Sequence, residues 1–216
     1  CHLDAPEFAS DRDAVVIAAR DAGVSTIVVP AVEPCNFTAV RDCCTHHPEC
    51  FPAYGIHPLY VNGVSDDVFP FLSKWLTLES DGQFPPVAIG EIGLDFFIPD
   101  FDAARQEFFL LEQLRIARNL DLPVLLHARR SVDQVLKCLR RSGVRRGIVH
   151  AFNGSFQQAD EFIRLGFKLG FGGAMTYDGS TRIRKLAATL PGESIVLETD
   201  APDIPPSWLN GRRNTP

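Results

Sequence analysis

Short apolar runs and longer stretches of helical spacing alternate along nearly the whole chain. The runs lie at residues 25–30 (STIVVP), 51–56 (FPAYGI), 86–91 (PVAIGE), 122–127 (LPVLLH), 146–150 (RGIVH), 167–171 (FKLGF) and 194–199 (SIVLET). Rich in Val, Ile and Leu and bounded by Gly or Pro, they predict seven buried strands of a parallel sheet. Helical spacing fills the intervals near 11–22, 34–47, 66–78, 102–120, 131–142, 155–165 and 180–189. The clearest is 102–120, where Phe108, Leu111, Leu114, Ile116 and Ala117 predict the buried stripe. Ser131 and Ser155 stand at N-cap positions, and Gly23, Gly143 and Gly166 suit left-handed C-caps. No repeat, low-complexity segment or linker interrupts residues 1–216, so a single domain is expected.

Unbroken strand–helix alternation implies parallel strands with right-handed crossovers. Seven strands suit an open doubly wound sheet, whereas a closed TIM-type (β/α)8 barrel needs eight. The polar residues favour the barrel. Glu91, His127, His150, Glu198 and Asp200 fall at or just past the C-terminal ends of their runs. A barrel points such ends at one centre, while an open sheet spreads them along a line. The expectation is a TIM-type barrel of the α/β class, truncated at both ends. The helix at 11–22 lacks a strand before it, and a polar, Pro-rich segment (APDIPPSWLNGRRNTP) stands where a last helix is due.

Composition narrows the setting without naming a function. With 45 % hydrophobic residues, 216 residues suffice for one substantial core. No apolar run approaches the roughly 18 residues of a membrane span, and no basic-then-apolar leader opens the chain, which predicts a cytoplasmic protein without a membrane partner. The net charge of −6 gives no long-range pull on a polyanion. Attraction to nucleic acid must therefore be local, from metal ions or from Arg129–Arg130 and Arg145–Arg146. The six cysteines show no CxxC or zinc-finger spacing and are read as reduced thiols.

A histidine ending an apolar strand is costly to bury without a partner, and a lone one is ordinarily a hydrogen-bonded core residue. Here imidazole or carboxylate stands at four strand ends, and without a cation those groups would repel and shift one another's pKa values. A divalent metal site satisfies all four. Imidazole and carboxylate without thiolate suit zinc, manganese, nickel or iron, and magnesium less well. With Glu91 able to bridge, two ions about 3.5–4 Å apart fit the ligand count, a pair that generates hydroxide and clamps a phosphodiester. Two apart on a strand, Glu198 and Asp200 are expected to share a face. Asp200 is the better ligand and general base. Glu198 reads equally as a partner that orients a ligand or as a structural ion pair inside the barrel.

The segments GIHP (55–58), GEIGLDF (90–96), PVLLHAR (123–129), HAFNGS (150–155) and LETDAP (197–202) together resemble the successive motifs of the TatD family of metal-dependent deoxyribonucleases, which are amidohydrolase-like TIM barrels. CHLD (1–4) resembles the tail of that family's opening motif, with His2 matching the second of two histidines. The resemblance implies two divalent ions (Mg, Mn or Zn) held by His2, Glu91, His127, His150 and Asp200, with Glu91 bridging. It implies hydrolysis of DNA phosphodiesters by a metal-activated hydroxide, with Asp200 and Glu91 catalytic, on single strands or 3′ ends. Nothing in the sequence marks an oligomeric state, so a monomer is the default expectation, without organic cofactor. His57 and Arg129 then face substrate phosphate, and Asp95 either shapes the loop after Glu91 or contacts substrate. Arg130 stands where many members carry an acid, and Asn153 where Ser or Thr is frequent. Two rival readings stay open: a small-molecule amidohydrolase or lactonase-like enzyme, and an inactive scaffold. Against the former, the broader group often bridges its metals with a carboxylated lysine, and no strand here ends in lysine.

Overall fold

Each apolar run becomes a strand and each helical interval a helix. The computed structural model describes residues 1–216. Its strands are β1 (Ile27–Pro30), β2 (Cys50–Tyr54), β3 (Ala88–Asp95), β4 (Val124–Arg129), β5 (Gly147–Val149), β6 (Phe167–Phe171) and β7 (Ile195–Leu197). Its helices are α1 (Arg12–Asp21), α2 (Phe37–His46), α3 (Val68–Ser80), α4 (Ala103–Asn119), α5 (Val132–Ser142), α6 (Phe156–Arg164) and α7 (Thr181–Thr189). All strand pairs are parallel, and the order runs β1 to β7 without reversal. A doubly wound sheet reverses its order at a switch point; this one does not, and the fold is TIM-type. No helix is long and apolar enough to cross a membrane.

The first residues join the two edges of the seven-stranded sheet. The Cys1 amino group lies 3.4 Å from Val28 O, and His2 N–H donates to Ala201 O at 2.7 Å. Leu3 is fully buried beside them. Residues 1–3 therefore occupy the seam between β1 and the segment after β7, where a closed barrel has its eighth strand.

The clearest helix buries a different stripe from the one its apolar residues suggest. On α4 the buried positions are Gln106, Phe109, Leu110, Gln113, Leu114, Ile116 and Ala117, while Phe108 is 41 % exposed. Two glutamines sit on this face because each bonds a strand end. Gln113 Oε1 accepts from Ile56 N–H (2.7 Å) and its Nε2 donates to Ile56 O (3.1 Å). Gln106 does the same for Asp95, at 2.8 and 3.1 Å. Each amide supplies the donor and acceptor of a missing strand neighbour, so buried backbone groups stay paired where the ladder stops.

Caps follow the sequence with one exception. Ser155 forms a capping box with Gln158, and Gly143 ends α5 at φ +76°, a conformation that glycine adopts without steric cost. Ser131 precedes α5, yet its hydroxyl donates to Leu94 O at 2.7 Å rather than capping the helix.

The polar C-terminal segment is anchored near its end. Asn214 is 4 % exposed, and its amide donates to Thr199 O (2.7 Å), Asp203 O (2.9 Å) and Ile204 O (3.1 Å). Arg213 pairs with Asp11 at 2.6 Å and lies 4.5 Å from the Phe8 ring centroid.

Candidate metal centre

Glu91 is the hub, and it lies inside a strand rather than at its end. β3 continues to Asp95, and its register against β4 shifts between Ile89 and Ile92, so Glu91 sits at the irregularity. There its N–H donates to Ala31 O (3.0 Å). On β4, His127 pairs with Gly93, where a Cβ would stand 2.0 Å from His127 O. Only glycine allows β3 and β4 to approach so closely. His150 directly follows β5.

Asp200 and Glu198 do not share a strand face as the sequence suggests, because β7 stops at Leu197 and Asp200 has φ +53°. Ala151 (φ +44°) and Arg130 (φ +55°) are also left-handed non-glycine residues at this end of the sheet. Such backbone is strained and persists where the surroundings over-determine it. The turn still brings Asp200 Oδ1 within 3.5 Å of His2 Nε2.

Glu91, 4 % exposed, gathers four histidines. Its Oε1 lies 2.6 Å from His150 Nε2, 3.0 Å from His127 Nδ1 and 3.4 Å from His57 Nε2. Its Oε2 lies 3.7 Å from His2 Nε2. Two donor groups converge within 4.8 Å: His57, Glu91 and His127, and His2, Glu91 and Asp200. His150 Nε2 joins the first at 3.0 Å from His127 Nδ1.

Hydrogen bonds on the far side of the ring sort three of these histidines. His2 Nδ1 faces Pro30 O (3.2 Å) and His127 Nε2 faces Asp95 Oδ2 (3.0 Å). Both far nitrogens are donors, so when the ring is neutral its lone pair is on the inner nitrogen, as in metal-ligating histidines. His57 is the reverse: its Nδ1 accepts from Leu59 N–H (3.2 Å), so the proton of the neutral ring sits on the inward Nε2. Burial keeps the His57 pKa below its ordinary value, despite the pull of Glu91, and favours that neutral ring.

Without a cation the cluster has to be held together by protons. Burial works against charge on His150, but Glu91, Asp200 and Glu198 carry its pKa up to about 10. Burial likewise opposes charge on His127, and its bonds to Asp95 and Glu91 raise it. Burial would raise Glu91, but the surrounding histidines hold it well below the usual carboxylate range. A divalent cation relieves the same excess of acceptors, and the donor set of imidazoles and carboxylates fits one.

Other candidates take distinct places. Asp95 is 1 % exposed, accepts from Phe97 N–H (2.8 Å) and contacts His127, beneath the cluster. Glu198 Oε1 accepts from Ala151 N–H (2.7 Å), tying down the turn after His150, and burial raises its pKa. Gly170 leaves it room, since a Cβ there would meet Glu198 Oε2 at 2.1 Å. Asn153, the departure from the family pattern, accepts from Arg182 at 2.7 Å. Arg145–Arg146 lies away from the site: it precedes β5, at the opposite strand end from His150, and Arg146 bonds Asp121 at 2.7 Å.

The cluster floors an open cleft of about 1480 Å³, larger than the 300–1,000 Å³ usual for small-ligand sites. Its lining carries Phe97, Arg129, Arg130 and Arg182, and also the acids Asp4, Glu7, Glu33 and Asp203. The supporting roles of Gln106, Gln113, Asn214 and Phe97 escaped the sequence reading. A seven-residue spacing of glutamines on an apolar stripe was the one available signal.

A family model described as TatD related DNase matches residues 1–216. YjjV, an uncharacterized metal-dependent hydrolase of Escherichia coli strain K12, is 42 % identical, with 100 % of this chain and 83 % of that protein covered. A protein named 3′-5′ ssDNA/RNA exonuclease TatD, from Yersinia pseudotuberculosis, is 32 % identical, with 100 % of this chain and 84 % of that protein covered. The crystal structure of YjjV, described as a TatD homologue, aligns with a TM-score of 0.94 at 41 % identity, with 100 % of this chain and 83 % of that chain covered.

Proposed function

The chain belongs to the TatD-related DNase family of metal-dependent hydrolases, and from that premise we propose that it hydrolyses phosphodiester bonds of single-stranded DNA, trimming from a 3′ end. The observation that carries this reading is the buried Glu91 carboxylate shared between two sets of donors. His127 and His150 would hold one ion with Glu91, and His2 and Asp200 a second. The inward lone pairs of His2 and His127 support that assignment, and the inward N–H of His57 argues for leaving it out. Magnesium, manganese or zinc bound there would supply positive charge to the phosphoryl oxygens and acidify the attacking water.

The chain's own residues do the rest. Asp200 Oδ1, at the exposed side of the cluster, accepts the proton of the attacking water. His57 Nε2–H donates to a phosphate oxygen, and Arg129 neutralises a neighbouring phosphate, for which its planar fork is suited. Asp95 keeps the His127 proton on Nε2. Water protonates the leaving oxygen. The size of the cleft favours an extended substrate, as does the TatD exonuclease name carried by the Yersinia relative.

The test is metal-dependent cleavage of a short single-stranded DNA, beside His127→Ala and Asp200→Ala. Cleavage with Mg²⁺ or Mn²⁺ that both substitutions abolish is the expected result. Absence of cleavage by a protein that binds metal stoichiometrically would overturn the reading in favour of a small-molecule hydrolase. Failure to bind metal would leave the scaffold.

A further inference from the structure

We propose that Phe97, with Arg129 and Arg130 against its ring, seats an unpaired nucleobase next to the bond being cut. This rests on the phosphodiesterase reading and adds to it the part of the substrate that is gripped.

The ring is 45 % exposed on the wall of the cleft. Arg129 Cζ lies 3.7 Å from its centroid and Arg130 Cζ 4.6 Å. Arginine beside an aromatic ring is common on protein surfaces, but these two differ from their fellows. Neither guanidinium has a hydrogen bond or an ion pair within the protein. Every other arginine except Arg145 has a polar partner. Two planar forks, each with five unengaged N–H donors, thus stand on one aromatic ring inside a cleft. That combination of stacking surface and free cationic edges is what single-stranded nucleic acid uses: a base on the flat face, its phosphate on the edge.

The seat is also tied to the metal cluster. One Asp95 oxygen accepts from Phe97 N–H at 2.8 Å, and the other lies 3.0 Å from His127 Nε2. The β3–β4 register pairs Asp95 with Arg129 and Gly93 with His127, so ring, arginine and cluster are anchored on the same two strands. Behind them Phe96 and Phe101 stack at 4.7 Å and 16°, bracing the loop.

The experiment is a fluorescence-anisotropy titration of the chain with a labelled single-stranded oligothymidylate and with an abasic strand of equal length, EDTA preventing cleavage. Phe97→Ala should weaken binding of the base-bearing strand by roughly 5- to 150-fold, the span of one base–aromatic stack, and leave the abasic strand unchanged. Phe97→Trp, which restores a ring and guards against misfolding of the alanine variant, should recover the base-bearing strand. Equal weakening of both strands, no weakening, or a wild type that does not distinguish the strands would overturn the seat. Cleavage by the wild type, assayed in parallel with Mn²⁺, separates the two ideas. Cleavage without base discrimination refutes the seat alone, and discrimination without cleavage refutes the hydrolysis alone.

Discussion

Asp95 Oδ2 lies 3.0 Å from His127 Nε2, and this contact decides which imidazole nitrogen looks into the cluster. The carboxylate takes the N–H, so in the neutral ring it is the Nδ1 lone pair that turns toward Glu91 and His150. Partners of this kind, one step behind a ligand, typically change metal affinity or activity by about 10–100-fold when mutated. Asp95→Asn, which keeps the shape and removes the charge, should lower metal affinity by that factor, read by titration of the metal-free protein. Unchanged affinity would mean that the strand alone orients His127.

Gln113 bonds both backbone groups of Ile56, the residue before His57. Gln113→Leu fills the same space and orphans a buried N–H and C=O, each costing about 1–3 kcal/mol. Chemical denaturation should show a loss of that order. A neutral result would mean that water reaches Ile56 when the amide is gone.

Asn214 clamps three carbonyls of the loop that carries Asp200. Its replacement by alanine removes the two N–H donors shared among these carbonyls, each bond worth about 0.5–1.5 kcal/mol. Hydrogen exchange over residues 199–204 should quicken in Asn214→Ala while exchange in β3 and β4 stays as it was. Equal quickening everywhere would indicate global destabilisation instead.

Asp11 accepts two bonds from Arg213, at 2.9 and 2.6 Å, and they hold its carboxyl below the usual aspartate value. The folded pKa is therefore lower than the unfolded one, near 3.9. The pair's contribution is complete above about that pH and is lost as pH falls through the folded value. The difference in Tm between wild type and Asp11→Asn should be constant near neutrality and shrink below about pH 4. A difference that persists in acid would assign the effect to shape rather than charge.

The parts that were legible in the sequence are those written in local period and order. Val-, Ile- and Leu-rich runs such as 122–127 and amphipathic intervals such as 155–165 carry their own geometry, because side chains alternate along a strand and recur every 3.6 residues in a helix. The order of motifs from GIHP to LETDAP carried the family. The buried face of α4 departs from its apolar stripe because a glutamine that bonds a strand end looks, in one dimension, like a glutamine facing water. Glu91 ends its apolar run, yet it lies inside β3 at a register shift that depends on the neighbouring β4.

The sequence by itself determined a parallel α/β barrel with imidazoles and carboxylates gathered on one end, since periodicity and chain order suffice for that. Only the tertiary structure decided the rest. It joined the sheet edges through residues 1–3, tied the C-terminal segment to the loop of Asp200, and placed a hydrogen-bond partner behind the rings of His2, His57 and His127. Those outcomes depend on single hydrogen bonds between residues distant along the chain, such as Asp95 with His127 and Asn214 with Thr199. No local pattern encodes such a bond, because its partner is chosen by where the packed backbone places an unpaired donor or acceptor.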